Sequence, residues 1–165
     1  MNWYVLQVLT GEEREVCRKL VRAGLKGRAP AQRMQIRRRG QWQEEERLLL
    51  PGYVFLGAKY SAALFHAVYP IPGVIRWLGM EGGQPQALNE AEALRWRLDS
   101  QDTLEPSRVL FQPGGGWYVL DGPLAAFKDK VIRMDRRQRR AYVVTDLGGG
   151  LQRIRFSVTP VEGTL

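Results

Sequence analysis

The 165-residue chain carries 25 basic and 17 acidic residues, a formal net charge of +8, and 44% of its residues are apolar. That apolar fraction is ordinary for a globular protein and argues against disorder. No apolar run approaches the roughly 18 residues that indicate a membrane span. The opening Met1-Asn2-Trp3-Tyr4 lacks the features of a secretory signal, and a single cysteine, Cys17, excludes a disulfide within the chain. We therefore expect a cytoplasmic protein.

Arginine dominates the basic residues, with 20 Arg against 5 Lys. The planar guanidinium fork matches phosphates and base edges, and a basic chain attracts polyanions. The bias favours a nucleic-acid partner. Codon composition in a GC-rich genome would produce the same bias, so composition alone leaves both explanations open.

The N-terminal elements begin with an aromatic and β-branched segment, Trp3 to Leu9, which predicts a strand. Thr10 followed by Glu13 has the form of a capping box. Apolar residues at helical spacing then predict a helix from about Gly11 to Leu25.

A basic run ending at Arg39 precedes Gly40, Trp42 and the acidic residues Glu44 to Glu46. A glycine between two charged segments predicts two extended arms around an exposed hairpin loop.

Tyr53 to Leu56 and Val74 to Trp77 are predicted to be strands. Between them Ser61 is expected to cap a short helix that Pro70 ends. Asn89, with Glu92 three residues later, predicts a further capped helix with Leu94 and Leu98 on one face.

The apolar pattern fades between Asp99 and Gly116, where prolines and glycines accumulate. We assign residues 1–100 to a first domain, 101–113 to a linker and 114–165 to a second domain. Strand-like runs in the second domain predict a small β-barrel; they are Trp117–Leu120, Val131–Met134, Ala141–Thr145 and Ile154–Val158.

The sequence offers little for catalysis. His66 is the only histidine, and its position beside Phe65 suggests a structural imidazole. Cys17 lies on an apolar helix face, where thiols are usually inert. The glycine runs lack the Lys-Ser/Thr of a phosphate-binding loop. We expect no enzymatic activity, no cofactor and no metal site.

Four segments, in order, resemble the NusG family of transcription elongation factors. The segments are Trp3-Tyr4-Val5-Leu6-Gln7-Val8-Leu9-Thr10-Gly11, Leu50-Pro51-Gly52-Tyr53-Val54-Phe55, Ile71-Pro72-Gly73-Val74, and Asp121-Gly122-Pro123-Leu124-Ala125-Ala126-Phe127. The last resembles the family's KOW motif, although Asp129 stands where the family usually has a turn glycine. The resemblance implies an α+β fold: an N-terminal NGN domain, with helices on an antiparallel sheet, followed by a C-terminal SH3-like β-barrel, the KOW domain.

The resemblance also implies partners. The NGN domain would bind the clamp helices of the largest RNA polymerase subunit through an apolar concavity that includes Gln7, Pro51, Tyr53 and Phe55. The exposed hairpin would meet upstream or non-template DNA through its basic residues and its indole; these are Arg37, Arg38, Arg39 and Trp42. We expect the protein to be a monomer.

The barrel carries the more specific indication. Seven basic residues lie between positions 128 and 140, namely Lys128, Lys130, Arg133, Arg136, Arg137, Arg139 and Arg140. This basic turn resembles that of the LoaP-type antiterminators, which implies binding to an RNA hairpin in a nascent leader transcript. A housekeeping factor that couples polymerase to Rho or the ribosome is the nearest alternative, and a ribosome-associated KOW protein is a third. The turn could also be an ordinary solvated surface.

Overall fold

The computed structural model describes residues 1–163. Three α-helices, thirteen strands and a 3-10 helix follow in this order: β1 (Asn2–Val8), α1 (Glu13–Arg22), β2 (Lys26–Arg28), β3 (Ala31–Arg38), β4 (Gln41–Leu48), β5 (Tyr53–Ala58), α2 (Ala62–Val68), β6 (Val74–Trp77), β7 (Met80–Glu81), β8 (Gln84–Pro85), α3 (Glu90–Arg95), β9 (Ser107–Phe111), β10 (Trp117–Asp121), the 3-10 helix (Pro123–Lys130), β11 (Val131–Asp135), β12 (Arg140–Leu147) and β13 (Gly150–Glu162). Residues 164–165, the end of the predicted second domain, lie outside the described residues. No helix of the described chain is long and apolar enough to cross a membrane.

The chain divides into two compact units. The first contains residues 1–30, 50–101 and 146–150, and the second contains residues 31–49, 102–145 and those from Leu151 onward. The first unit is built on a four-stranded sheet with the order β2-β5-β1-β6, in which neighbouring strands are antiparallel. Alternate residues of a strand face opposite sides of a sheet. One side of this sheet therefore supplies Tyr4, Leu6 and Val8 to a core that also includes Val16 and Leu20 of α1.

Two of the three α-helices of the first unit begin at the side-chain cap that the sequence predicts. The Ser61 hydroxyl accepts a hydrogen bond from the Leu64 backbone N–H at 3.0 Å, and Asn89 forms the predicted capping box with Glu92. The predicted Thr10 capping box is wrong, because α1 begins at Glu13 without a side-chain cap. The predicted Leu94–Leu98 face is also wrong, since α3 ends at Arg95 and the Leu94 side chain is 64% exposed.

The second unit combines the predicted hairpin with the β-rich C-terminal part. Strands β3 and β4 pair antiparallel from Ala31 opposite Leu48 to Arg38 opposite Gln41, which confirms the two extended arms. Arg39 and Gly40 join them, with φ angles of 52° and 76°. Two consecutive positive φ angles characterise the type I′ turn, whose twist matches that of the flanking strands.

The C-terminal strands form a five-stranded sheet in the order β10-β9-β13-β12-β11. Its buried residues include Phe127 and Phe156, whose ring centroids are 5.2 Å apart. Gly122, in the KOW-like segment, has φ 95°, and a Cβ there would lie 2.6 Å from the Cα of Ser107. This close approach requires glycine. Asp129, which stands where the family usually has a turn glycine, lies within the 3-10 helix and has no positive φ.

The structure divides the chain differently from the sequence-based boundaries. Ser107–Phe111, inside the segment predicted as a linker, forms β9 and pairs in parallel with β13 from Val158 opposite Ser107. The hairpin at residues 31–49, predicted within the first domain, belongs to the second unit. Pairings between residues about 50 to 125 positions apart determine both differences, and local sequence patterns do not report such pairings.

Candidate functional sites

The first candidate site is a row of side chains across the sheet of the first unit. The strand register places Gln7 of β1 opposite Tyr53 of β5 on one side and opposite Arg76 of β6 on the other. The Arg76 Nε–H donates a hydrogen bond to the Gln7 Oε1 atom at 2.6 Å. Tyr53 is half-buried, and Pro51, two positions before it in the chain, is exposed. Three of the four predicted polymerase-binding residues therefore lie together, and Arg76 is an addition that the sequence did not indicate.

Phe55 differs from the other three predicted residues. It is 0% exposed, and its ring centroid is 5.2 Å from that of Trp96, which follows α3 and is itself 2% exposed. Its neighbours Val54 and Leu56 belong to the core on the opposite side of the sheet, as the alternation predicts. In this structure Phe55 therefore has no surface to offer a partner.

A buried carboxylate holds the turn before Tyr53. Glu13 is 2% exposed, and its two oxygens accept hydrogen bonds from the backbone N–H groups of Gly11 at 2.7 Å and Gly52 at 2.8 Å. The sequence predicted that the Glu13 side chain would cap its own helix, whereas in the structure this side chain joins α1 to the Pro51-Gly52 turn. Charge-assisted hydrogen bonds of this kind are among the stronger ones, so Glu13 fixes the start of β5 and the position of Tyr53.

The second candidate site begins with the attachment of the hairpin to the β-rich part of the second unit. Gln32, 3% exposed, donates from Nε2 to the Arg155 carbonyl oxygen at 2.7 Å and accepts from the Ser157 N–H at 3.0 Å. Three residues later, the Gln35 N–H donates to the Ser157 hydroxyl at 3.1 Å. These contacts attach β3 to β13, so the hairpin is not an independent exposed arm.

Arg139 and Trp42 meet where this attachment ends. The Arg139 guanidinium carbon lies 4.1 Å from the centroid of the Trp42 ring, and its Nη1 donates to the Gln35 Oε1 atom at 3.0 Å. Arg37, opposite Trp42 in the hairpin register, has its guanidinium carbon 5.9 Å from the same ring. The structure thus brings together predicted nucleic-acid-binding residues that are about a hundred positions apart in the chain.

The remaining predicted basic residues occupy several environments. Arg136 forms an ion pair with Glu162, and Arg133 forms one with Asp135 at 3.0 Å. Burial lowers the pKa of the Arg140 guanidinium. Arg137, Arg39 and Lys128 are exposed, and Arg38 pairs with Glu45 at 2.7 Å.

Not all of these residues belong to one cluster. Lys128 and Lys130 end the 3-10 helix, and the five residues of β11 separate them from the arginine turn. At about 3.4 Å per residue, that strand places the two lysines roughly 17 Å from the turn. We use the name arginine surface for Arg37, Arg38, Arg39 and Trp42 of the hairpin together with Arg136, Arg137, Arg139 and Arg140 at the β11–β12 turn. Its observed centre is Trp42, which contacts Arg37 and Arg139. Arg38 lies on the other face of the hairpin, because neighbouring residues of a strand face opposite sides.

The two residues considered for catalysis are Cys17 and His66, and neither belongs to the two candidate sites. Cys17 packs against the core of the first unit, and burial raises the pKa of its thiol to about 11. His66 is exposed, and its ring packs edge-on against Phe65 with the two centroids 5.6 Å apart. Within residues 1–163, no group of three or more His, Cys, Asp or Glu side chains is placed to hold a metal ion.

Comparison with known proteins identifies the family. A family model described as "Transcription termination factor nusG" matches residues 1–97, more than half of the chain. The chain belongs to the NusG family. It is 29% identical to the transcription termination/antitermination protein NusG of Pseudomonas aeruginosa, over 98% of this chain and 97% of that protein. It is 28% identical to the protein of the same name from Escherichia coli K12, over 98% of this chain and 95% of that protein.

The likeness to other NusG proteins extends beyond the matched domain, because both alignments include the C-terminal strands. A solved structure described as "Domain interaction in Thermotoga maritima NusG" has a TM-score of 0.56 at 19% identity, and the match covers 95% of this chain and 93% of that one. At this identity the match supports the fold alone. The expected α+β fold, with helices on an antiparallel sheet and a β-rich C-terminal domain, is confirmed.

Proposed function

We propose that the protein is a transcription elongation and antitermination factor that binds RNA polymerase through its NGN domain and a leader RNA hairpin through its basic KOW domain. Membership of a family whose relatives are named termination/antitermination proteins supports the first part. The observation that carries the second part is the convergence of Arg139, Arg37 and Trp42 on one surface. The protein acts in the cytoplasm as a monomer and carries out no chemistry of its own.

Polymerase binding is assigned to the row Tyr53–Gln7–Arg76 together with Pro51. A half-buried tyrosine beside an exposed proline is a suitable anchor for a protruding helix tip, and the Glu13 hydrogen bonds keep that anchor in place. Phe55 supports the row from within the sheet. The partner is the clamp-helix pair of the largest polymerase subunit. Such a contact would favour processive elongation by disfavouring open, paused states.

Nucleic-acid binding is assigned to the arginine surface, with Lys128, Lys130 and Arg133 as outlying phosphate contacts. Guanidinium groups and an indole on one surface combine phosphate attraction with a planar aromatic group. We assign Arg37, Arg38 and Arg39 to contacts with RNA, and upstream or non-template DNA is a second partner for the hairpin.

A transcription assay tests the proposal directly. Purified polymerase is run through an intrinsic terminator preceded by an RNA hairpin, and read-through is measured with and without the protein. Replacing Arg37, Arg38 and Arg39 by Ser should reduce read-through while affinity for isolated clamp helices stays unchanged. If both fall together, the hairpin belongs to the protein interface. A second template carries a Rho-dependent terminator and is transcribed with Rho added. If the protein stimulates termination there regardless of the hairpin, the housekeeping function replaces the specialised one.

A further inference from the structure

The Arg139 side chain is held by two contacts, both with residues of the hairpin. Its guanidinium lies over the Trp42 ring at 4.1 Å, and Gln35 accepts from one of its N–H groups at 3.0 Å. Gln35 is itself held, since its Nε2 donates to the Thr159 hydroxyl at 3.3 Å and its backbone N–H donates to Ser157. The guanidinium plane is therefore held in one place by groups on two strands.

The backbone of Arg139 is also in a specified state. Its φ is 56°, in the left-handed region that non-glycine residues rarely adopt. The Val158 N–H donates to the Arg139 carbonyl oxygen at 3.1 Å, and the Arg139 N–H donates to that of Arg136 at 3.3 Å. Backbone strain retained by surrounding hydrogen bonds tends to occur at functional positions, and here it directs the side chain onto Trp42.

The neighbouring arginines have other partners, and the Arg136 guanidinium carbon also lies 5.6 Å from an aromatic ring centroid, that of Phe111. Arg137 is exposed, Arg136 is held by the carboxylate of Glu162, and Arg140 is turned back onto the carbonyl oxygens of Gln138 and Arg139. Among the residues that the structure describes, Arg139 forms no ion pair with a carboxylate. A guanidinium has five N–H donors, and the bond to Gln35 uses one.

We propose that Arg139 is the specificity-determining contact of the RNA complex, that it reads the edge of an unpaired guanine in a hairpin loop, and that Trp42 and Gln35 are its positioning residues. The inference rests on the proposed RNA-binding function. Guanine presents two adjacent acceptors, O6 and N7, which match the two parallel N–H groups of an arginine fork. A fork fixed before binding loses less conformational entropy on forming that pair.

A loop base is the appropriate target for geometric reasons. The major groove of A-form RNA is too deep and narrow for side chains, whereas bases in loops and bulges are splayed and can stack on aromatic rings or guanidinium planes. The half-buried Arg139 guanidinium, held over Trp42, is such a plane. The exposed Arg37 and Arg137 then contact phosphates, which adds affinity without sequence preference.

The experiment is a selection followed by binding measurements on the full chain. An RNA hairpin pool with a randomised loop is enriched on the wild-type protein, and affinities for an enriched hairpin and its scrambled-loop counterpart are measured at physiological salt. Arg139→Lys keeps the charge but removes the fork, so the ratio of the two affinities should fall about tenfold or more, while affinity for the scrambled hairpin changes by less than about threefold. Arg137→Lys, the matched control in the same turn, should leave the ratio unchanged.

Positioning is tested separately through Trp42 and Gln35. Trp42→Ala and Gln35→Ala should each lower the ratio, whereas Trp42→Phe, which keeps an aromatic face, should restore most of it. Circular dichroism and unchanged binding to clamp helices verify that the variants fold. If Arg139→Lys retains the wild-type ratio, Arg139 does not determine specificity and the inference is overturned. If wild-type protein enriches no loop sequence, or prefers single-stranded DNA of the same sequence, the proposed RNA function fails instead.

Discussion

Replacing Gln32 by Ala should measurably loosen the attachment of the hairpin to the C-terminal sheet. The Gln32 amide is 3% exposed and forms two hydrogen bonds, to the Arg155 carbonyl oxygen and from the Ser157 N–H. Ser157 is itself 2% exposed, so its N–H would lose its partner without ready access to water. An unsatisfied buried group costs about 1–3 kcal/mol. The Arg155 carbonyl, which also loses its partner, adds a smaller cost, so we expect the free energy of unfolding to fall by about 2–4 kcal/mol.

Native-state hydrogen exchange of the Ser157 amide is the assay that isolates this effect. A loss of at least 2 kcal/mol corresponds to an exchange rate that rises roughly 30-fold or more. Gln43→Ala, an exposed glutamine on the opposite strand of the same hairpin, is the matched control and should change stability by less than about 0.5 kcal/mol. Equal exchange rates for Ser157 in wild type and Gln32→Ala would refute the attachment described here.

Three other predictions concern the first unit. Tyr53→Ala should weaken binding to isolated clamp helices by about 1–3 kcal/mol with little loss of stability. Phe55→Ala should instead cost about 3–5 kcal/mol of folding free energy, because it truncates a buried core side chain. Binding and urea titrations that gave the reverse pattern would contradict the placement of the two rings. Glu13→Gln should destabilise by about 1.5–3 kcal/mol, because the amide presents only one acceptor to the N–H groups of Gly11 and Gly52, and an unchanged urea midpoint would argue against that bridge. Burial raises the pKa of Cys17 to about 11, so the native thiol keeps its proton at a pH where the unfolded thiol loses it. Stability should therefore fall as the pH rises above about 9. Iodoacetamide should label the native thiol at pH 8 far more slowly than the denatured one, and equal labelling rates would contradict its burial.

Local sequence signals identified the elements that depend on neighbouring residues. Asn89 and Glu92 lie three positions apart and satisfy each other, so the pattern alone predicts the start of α3. Gly40 between two charged arms predicts the β3–β4 turn for the same reason. Thr10 and Glu13 carry an equally good local pattern, yet the Glu13 carboxylate bonds to Gly52, 39 residues away. A tertiary contact took precedence over the local one there.

The same distinction between local and distant contacts applies to the candidate sites. The residue types and the strand of Tyr53 were predictable, because the alternation of β5 separates a core face from an opposite face. The burial of Phe55 was not predictable, because Trp96, which covers it, lies 41 positions later and just after the end of α3. The basic turn was apparent from composition, but the Arg139–Trp42 contact depends on β3 packing along β13, and a sequence separation of 104 between Gln35 and Arg139 leaves no local trace.

The specialised function is tested most directly by titrating the full-length protein, at physiological salt, with a labelled RNA hairpin that it has enriched from a randomised-loop pool and with the same hairpin after scrambling the loop. Recognition through a fixed arginine predicts that fluorescence anisotropy gives an affinity at least about tenfold higher for the enriched hairpin, with both affinities falling as salt rises. Equal affinity for the two hairpins would contradict it and would leave the housekeeping function in its place.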